Sequence, residues 1–195
     1  MKTLLITGFA PFGGETINPS WEAVSRLPDV IGDCRVHKLE IPVVFGTSPA
    51  VVLKAAAELR PDCILCVGQA GGRKAVTPEL VAINVRDAKI PDNDGNQPWD
   101  EPVIPGGENA LFSTLPVRAM TDAIQARGIP AALSYSAGAY VCNDTLYTLL
   151  HHYQGTDIRC AFLHVPYLPE QAGADKPSLP LPDMVSALIA AIETF

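Results

Sequence analysis

Apolar runs short enough to be buried strands alternate along this chain with stretches in which apolar residues recur at helical spacing. Lys2 to Thr7 is a continuous apolar strand that runs into Gly8-Phe9-Ala10-Pro11-Phe12-Gly13-Gly14. Asn18-Pro19 then opens a helix to about Leu27, since asparagine caps well and proline suits the first turn. Cys34 to Val44 reads as a second strand, Ser48 to Leu59 as a helix stopped by Arg60-Pro61, and Asp62 to Val67 as a strand entering Gly68-Gln69-Ala70-Gly71-Gly72-Arg73. Pro78 to Arg86 alternates with a period of two and predicts another strand. Asp87 to Pro105 is dense in Asp, Asn, Gly and Pro and reads as a long irregular excursion. Helical spacing returns from Thr114 to about Gln125, closed by Arg127-Gly128. Pro130 to Ser134 predicts a strand, Val141 to His152 a helix, and Asp157 to Val165 the last clear strand. Pro169 to Pro180 reads as a mobile loop, and Leu181 to Phe195 as a helix with Met184, Leu188, Ile189 and Ile192 on one face.

Strands alternating with helices predict an α/β fold: one domain over residues 1–195, three layers α/β/α, with a twisted, largely parallel (mixed) central sheet. A ligand then sits beyond the carboxyl ends of the strands, where both Gly-rich loops fall. The first of these loops is not GxGxxG and lacks the lysine of a phosphate loop, so its two phenylalanines suit a small, flat, apolar group better than a pyrophosphate.

Composition narrows the choices. The chain is 48% hydrophobic, enough for one substantial core, and its 14 Lys plus Arg against 21 Asp plus Glu leave a net charge of -7 with no basic run, which argues against nucleic acid. The short apolar N-terminal run does not fit a signal peptide and no segment approaches a membrane span, so a cytoplasmic protein is expected. Five cysteines scattered over the chain predict reduced thiols rather than a disulfide framework. Cys63 and Cys66 stand three apart on a predicted strand and so face opposite sides, with no second Cys or His pair nearby; no metal or other cofactor is expected.

Cys142 holds the chemical interest. It follows the small-residue turn Ala137-Gly138-Ala139 at the start of a helix, where unpaired N–H groups and the helix dipole favour thiolate and hence a nucleophile. Such a cysteine needs a base, a group to orient the base, and oxyanion donors. His151 and His152 lie roughly 14 Å along the helix at about 1.5 Å per residue, too far to serve, and His37 sits in an early strand with polar neighbours. His164 ends a strand whose tip shares a rim with the strand before Cys142, which makes it the favoured base. The orienting carboxylate could be Glu79, Asp87, Asp92, Asp94 or Glu108. The backbone N–H of Cys142 or Asn143 would serve the oxyanion.

Taken together, Gly8 to Gly14, Asn18-Pro19-Ser20, Gly68 to Arg73, Pro78-Glu79, Ile90-Pro91-Asp92-Asn93 and Ser134-x-Ser136-Ala137-Gly138-x-Tyr140-Val141-Cys142-Asn143 resemble the pyroglutamyl peptidase I, or pyrrolidone carboxyl peptidase, family from end to end. The resemblance implies a metal-free cysteine peptidase that removes N-terminal pyroglutamyl residues from peptides. It places the nucleophile at Cys142, the base at His164 and the orienting carboxylate at Glu79. The ring cradle falls at Phe9, Phe12 and Tyr140, with Asn18, Gln69 and Gly72 completing the substrate-binding set. Lys89 stands where relatives commonly have an arginine linked to the oxyanion region, and lysine lacks the planar fork. A homotetramer is also implied. A glutaminase-like amide transferase and a nucleotide-binding module are the competing readings; the first would need a synthase partner and the second a phosphate cradle.

Overall fold

A computed structural model describes residues 1–195. The elements in chain order are β1 (Lys2–Phe9), α1 (Pro19–Ser25), β2 (Val30–Ile31), β3 (Cys34–Ile41), α2 (Thr47–Leu59), β4 (Cys63–Gln69), β5 (Thr77–Glu79), β6 (Val81–Ile83), β7 (Ala110–Phe112), α3 (Val117–Ala126), α4 (Val141–His152), β8 (Arg159–Val165), α5 (Pro169–Ala172) and α6 (Leu181–Ile192). Six strands form the central sheet in the order β2-β3-β1-β4-β8-β5, while β6 and β7 pair separately. The four central strands are parallel, and only β2 and β5, at the two edges, run antiparallel to their neighbours.

Alternation along the strands sends side chains to two cores. Leu4, Ile6, Leu65, Val67 and Leu163 face α1, α3 and α6; Leu5, Phe9, Ile64, Cys66 and Phe162 face α2 and α4. This is the three-layer arrangement, with burial of each large apolar side chain contributing about 1.5–3 kcal/mol. Cys63 and Cys66 part to opposite faces as their spacing demands. Gly8 permits the close packing of α1 on β1: a Cβ there would stand 2.6 Å from the Trp21 Cα. Asn18 caps α1, its Oδ1 accepting from the Ser20 N–H (3.1 Å), and Ser20 Oγ accepts from the Phe9 N–H (2.9 Å), which draws the strand end and helix start together.

Three sequence expectations change. The run Pro78 to Arg86 is not one strand: β5 belongs to the main sheet and β6 to the small one, because the chain turns out of the sheet at Leu80. Pro130 to Ser134 forms no regular strand; it lies extended along β5, bonded through Val76, Pro78 and Leu80, with bridges only at Val76–Ala131 and Glu79–Ser134. Proline at 130 cannot donate to a ladder, and β5 is three residues long, so regular pairing has little to extend along. Pro169 to Pro180 is not a featureless loop, since it opens with α5 and pairs Tyr167 with Ser178. No helix is long and apolar enough to cross a membrane.

Candidate active site

Cys142 is the second residue of α4, after an N-cap (Tyr140) that makes no side-chain capping bond. The first-turn N–H groups are therefore left without a side-chain partner. Two buried neighbours in that turn hold it in place. The Asn143 side chain accepts from the Ile83 N–H and donates to the Ile83 and Val85 carbonyls. The Asp144 carboxylate accepts from the Gly46 N–H (2.8 Å) and pairs with Arg86 (2.7 Å). The sulfur lies on β4 over Gly68, where a Cβ would come within 3.0 Å of it.

That position sets the sulfur beside a strand that carries a histidine. Gly68 is the register partner of His164 on β8, so the two residues present the same face of the sheet to α4, and adjacent strands stand about 4.8 Å apart. His164 is nearly fully buried against Phe162, ring centroids 4.8 Å apart. Its Nδ1 lies 2.7 Å from Glu79 Oε1 on β5. Glu79, fully buried, also accepts from Arg73 Nη1 on the same oxygen (2.6 Å). Its Oε2 has no partner, and the nearby Ser134 hydroxyl, which donates to the Ser136 carbonyl, favours the ionised carboxylate.

Burial would raise the Glu79 pKa, but hydrogen bonding and charge from His164, with Ser134 and Arg73, hold it below the usual carboxylate value. Glu79 is thus ionised, and Nδ1 of His164 carries the proton it donates to it. Burial lowers the His164 pKa, Glu79 raises it and Arg73 lowers it, with a net fall that leaves a neutral imidazole at neutral pH. Cys142 departs from the sequence expectation of a ready thiolate. Burial pushes its thiol up to about 12 and Glu79 adds to the rise, while Arg73 and the residue's own N–H offset only part of it. Desolvation outweighs the helix N-terminus, so the resting pair is thiol and imidazole.

Beside the sulfur is a cavity of about 40 Å³ lined by Phe9, Phe12, Asn18, Val43, Gln69, Tyr140 and Cys142. At roughly 10–15 Å³ per water it holds a group of only a few heavy atoms. It contains no charged side chain. Tyr140 forms one wall, with Phe12 at 6.4 Å and Phe45 edge-on at 5.2 Å between ring centroids, and its hydroxyl donates to the Pro91 carbonyl. The long excursion forms a strap over this wall. Asp92 accepts from the Phe45, Asp94 and Asn96 N–H groups; Asn93 donates from its N–H to the Val43 carbonyl and from Nδ2 to the Pro11 carbonyl.

Cys142, Phe9, Phe12, Tyr140, Asn18 and Gln69 meet at this cavity, and Glu79 and His164 lie beside it. Gly72 does not line it and sits exposed on its loop. Lys89 is exposed as well, and lines a second cavity of about 250 Å³ with Phe12, Asp87, Ile90, Ala139 and Tyr140, sharing Phe12 and Tyr140 with the first but not Cys142. Among the competing carboxylates, Asp92 is spent on loop bonds, and Glu108 accepts from Gln154 on the surface. Sequence reasoning missed Val43 and the Arg73–Glu79 pair. Val43 follows a strand at its carboxyl end, a usable signal; nothing in the sequence ties residue 73 to residue 79.

A small uncharged pocket at the carboxyl edge of a parallel sheet, opening on a cysteine backed by a buried histidine and carboxylate, defines a cysteine-type hydrolase of the α/β class. A family model described as "Pyroglutamyl peptidase" matches residues 1–195. The pyrrolidone-carboxylate peptidase of Escherichia fergusonii is 54% identical over 100% of this chain and 92% of its own length, and that of Brevibacillus brevis 48% over 100% and 93%. The crystal structure of Bacillus amyloliquefaciens pyroglutamyl peptidase I superimposes with a TM-score of 0.96 at 47% identity, covering 100% of this chain and 96% of that one. The pyrrolidone carboxyl peptidase of Thermococcus litoralis gives 0.95 at 36% identity, covering 100% and 93%. The chain belongs to the pyroglutamyl peptidase family, and it is a cysteine peptidase that removes N-terminal pyroglutamate.

Proposed function

We propose that Cys142, His164 and Glu79 carry out this hydrolysis as nucleophile, general base and orienting carboxylate. The observation that carries the reading is the seating of the Cys142 sulfur over Gly68, the register partner of a histidine whose Nδ1 is held by a buried carboxylate. With Nδ1–H donated to Glu79, the Nε2 lone pair is the one free to take a proton.

The lactam enters the cavity between Phe9, Phe12 and Tyr140. An ordinary N-terminus carries an ammonium, which this uncharged pocket would strip of water without replacing the lost hydrogen bonds; that cost of several kcal/mol selects for the neutral ring. His164 takes the thiol proton as sulfur attacks the pyroglutamyl carbonyl carbon. The oxyanion sits against the backbone N–H groups of Cys142 and Asn143 at the uncapped start of α4. His164 then gives the proton to the departing amine, leaving a thioester. Water, deprotonated by the same imidazole, hydrolyses it to pyroglutamate and the free thiol. Lys89, exposed on the neighbouring cavity that shares Phe12 and Tyr140, is assigned to the substrate entrance rather than the oxyanion.

Cys142→Ala is expected to abolish chromophore release from a pyroglutamyl anilide with an unchanged circular dichroism spectrum and melting temperature. Full activity in that variant would overturn the mechanism. One catalytic domain over residues 1–195, a cytoplasmic setting, which suits five unpaired thiols, and a homotetramer complete the proposal. Sedimentation velocity tests the assembly.

A further inference from the structure

We propose that Arg73 is a positioning residue of this site: it fixes the Glu79 carboxylate against His164 and, as a counter-charge, keeps the His164–Glu79 pair from acting as a proton trap. The inference rests on the assignment of Cys142, His164 and Glu79 above and adds a fourth group to it.

Glu79 lies on a three-residue strand at the sheet edge, and the Ser113 hydroxyl bonds only its main-chain carbonyl. With Ser134 also favouring the ionised carboxylate, the side chain is bonded by His164 and by Arg73, the one permanent cation among them. Both converge on Oε1, while Oε2 is buried without a partner. Nη1 of Arg73 also donates to Thr77 Oγ1, and Nη2 donates to the Ser136 carbonyl at 3.0 Å. One planar fork thus spans β5, the carboxylate and the segment that leads to Tyr140 and Cys142. A lysine, a single point charge, cannot hold all three.

The charge matters as much as the fork. An ionised carboxylate buried with a neutral imidazole as its one partner would gain by drawing a proton onto that imidazole. An imidazolium cannot accept the Cys142 proton. The charged groups acting on His164 are Glu79 from β5 and Arg73 from the loop after β4; the Cys142 sulfur of α4 lies over Gly68, the register partner of His164 on β4. Arg73 is therefore the one cation able to balance Glu79 while leaving His164 neutral.

The test is the pH dependence of kcat and KM on a pyroglutamyl anilide, with melting curves, for full-length Arg73→Gln and Arg73→Lys. In Arg73→Gln, kcat is expected to fall about tenfold or more with KM little changed, and the acid limb of kcat/KM to move up by about half a pH unit or more. Arg73→Lys should keep the limb in place while kcat still falls. A limb that does not move in Arg73→Gln overturns the counter-charge role even if the melting temperature drops, because a merely structural residue would lower stability without moving the limb. If Arg73→Gln does not fold, Arg73→Lys decides: full kcat there overturns the positioning role. Activity in Cys142→Ala would remove the underlying triad, whereas an inactive Cys142→Ala beside an unaltered Arg73→Gln removes the role of Arg73 alone.

Discussion

Gly68 shows how little room the site leaves at the level of single residues. A Cβ there would lie 2.8 Å from the Phe162 ring and 3.0 Å from the Cys142 sulfur, and the second neighbour is the proposed nucleophile. Phe162 is packed between Phe9 and His164, so it cannot yield without moving His164. Gly68→Ala is expected to lower kcat by roughly 10- to 100-fold through a displacement of sulfur relative to imidazole, with a smaller effect on KM. Steady-state kinetics on the folded variant check this; wild-type kcat would show that the sulfur has slack. Gly68 was visible in the sequence only as part of a Gly-rich loop, and its use is the reverse of loop flexibility: it is an in-strand position where the missing side chain makes space.

At the level of elements, the first turn of α4 is held by side chains that follow Cys142 rather than by a cap that precedes it. Asn143 anchors the turn to β6 and the chain beyond it, and Asp144 anchors it to Arg86 and to the turn that begins α2. Asp144→Ala leaves Arg86 and the Gly46 N–H without their partner. It should destabilise the fold by roughly 2–4 kcal/mol in denaturant unfolding, the range for breaking a largely buried ion pair. Retained stability would mean that water or Glu101 serves Arg86 instead. The helix itself, its start near Val141 and its end at His152 were legible from apolar spacing. Its anchors were not, since Ile83, Arg86 and Gly46 lie 58 to 98 residues away in the chain. The excursion Asp87 to Pro105 was likewise legible as irregular from composition, whereas its role as a strap over Tyr140 depends on bonds from Asp92 and Asn93 to distant backbone.

Over the whole molecule, burial of titratable groups sets a stability window. Glu79 and His164 both have folded pKa values below their ordinary ones, so the unfolded chain binds more protons than the folded one as pH falls. Stability should therefore decline below about pH 6.5, where unfolded histidine begins to protonate, and decline further through the carboxylate range. The desolvated thiols, four of them buried and Cys142 part-buried, act at the other end. Cys66 and Cys142 are pushed up to about 12 by burial, and Cys34, Cys63 and Cys160 are raised by the same cause. Their contribution is fully present below the unfolded thiol value near 8.5 and is lost as pH rises past it, because only the unfolded chain then ionises. Melting temperature measured from pH 4 to 10 should be greatest between about 6.5 and 8.5, and a stability still rising above pH 9 would contradict the burial of these thiols.

The sequence by itself determined the alternation that makes an α/β sheet, the two Gly-rich loops at its carboxyl edge, the cysteine at a helix start and the histidine at a strand end. All of these are encoded by neighbours a few residues apart, through spacing and turn chemistry. Tertiary structure alone decided that β5 turns antiparallel and carries Glu79 to His164, that Arg73 reaches the same carboxylate oxygen, and that the Cys142 thiol rests protonated. The physical reason is common to the three: each depends on which groups share a water-free space, and the folded sheet, not the local chain, creates that space.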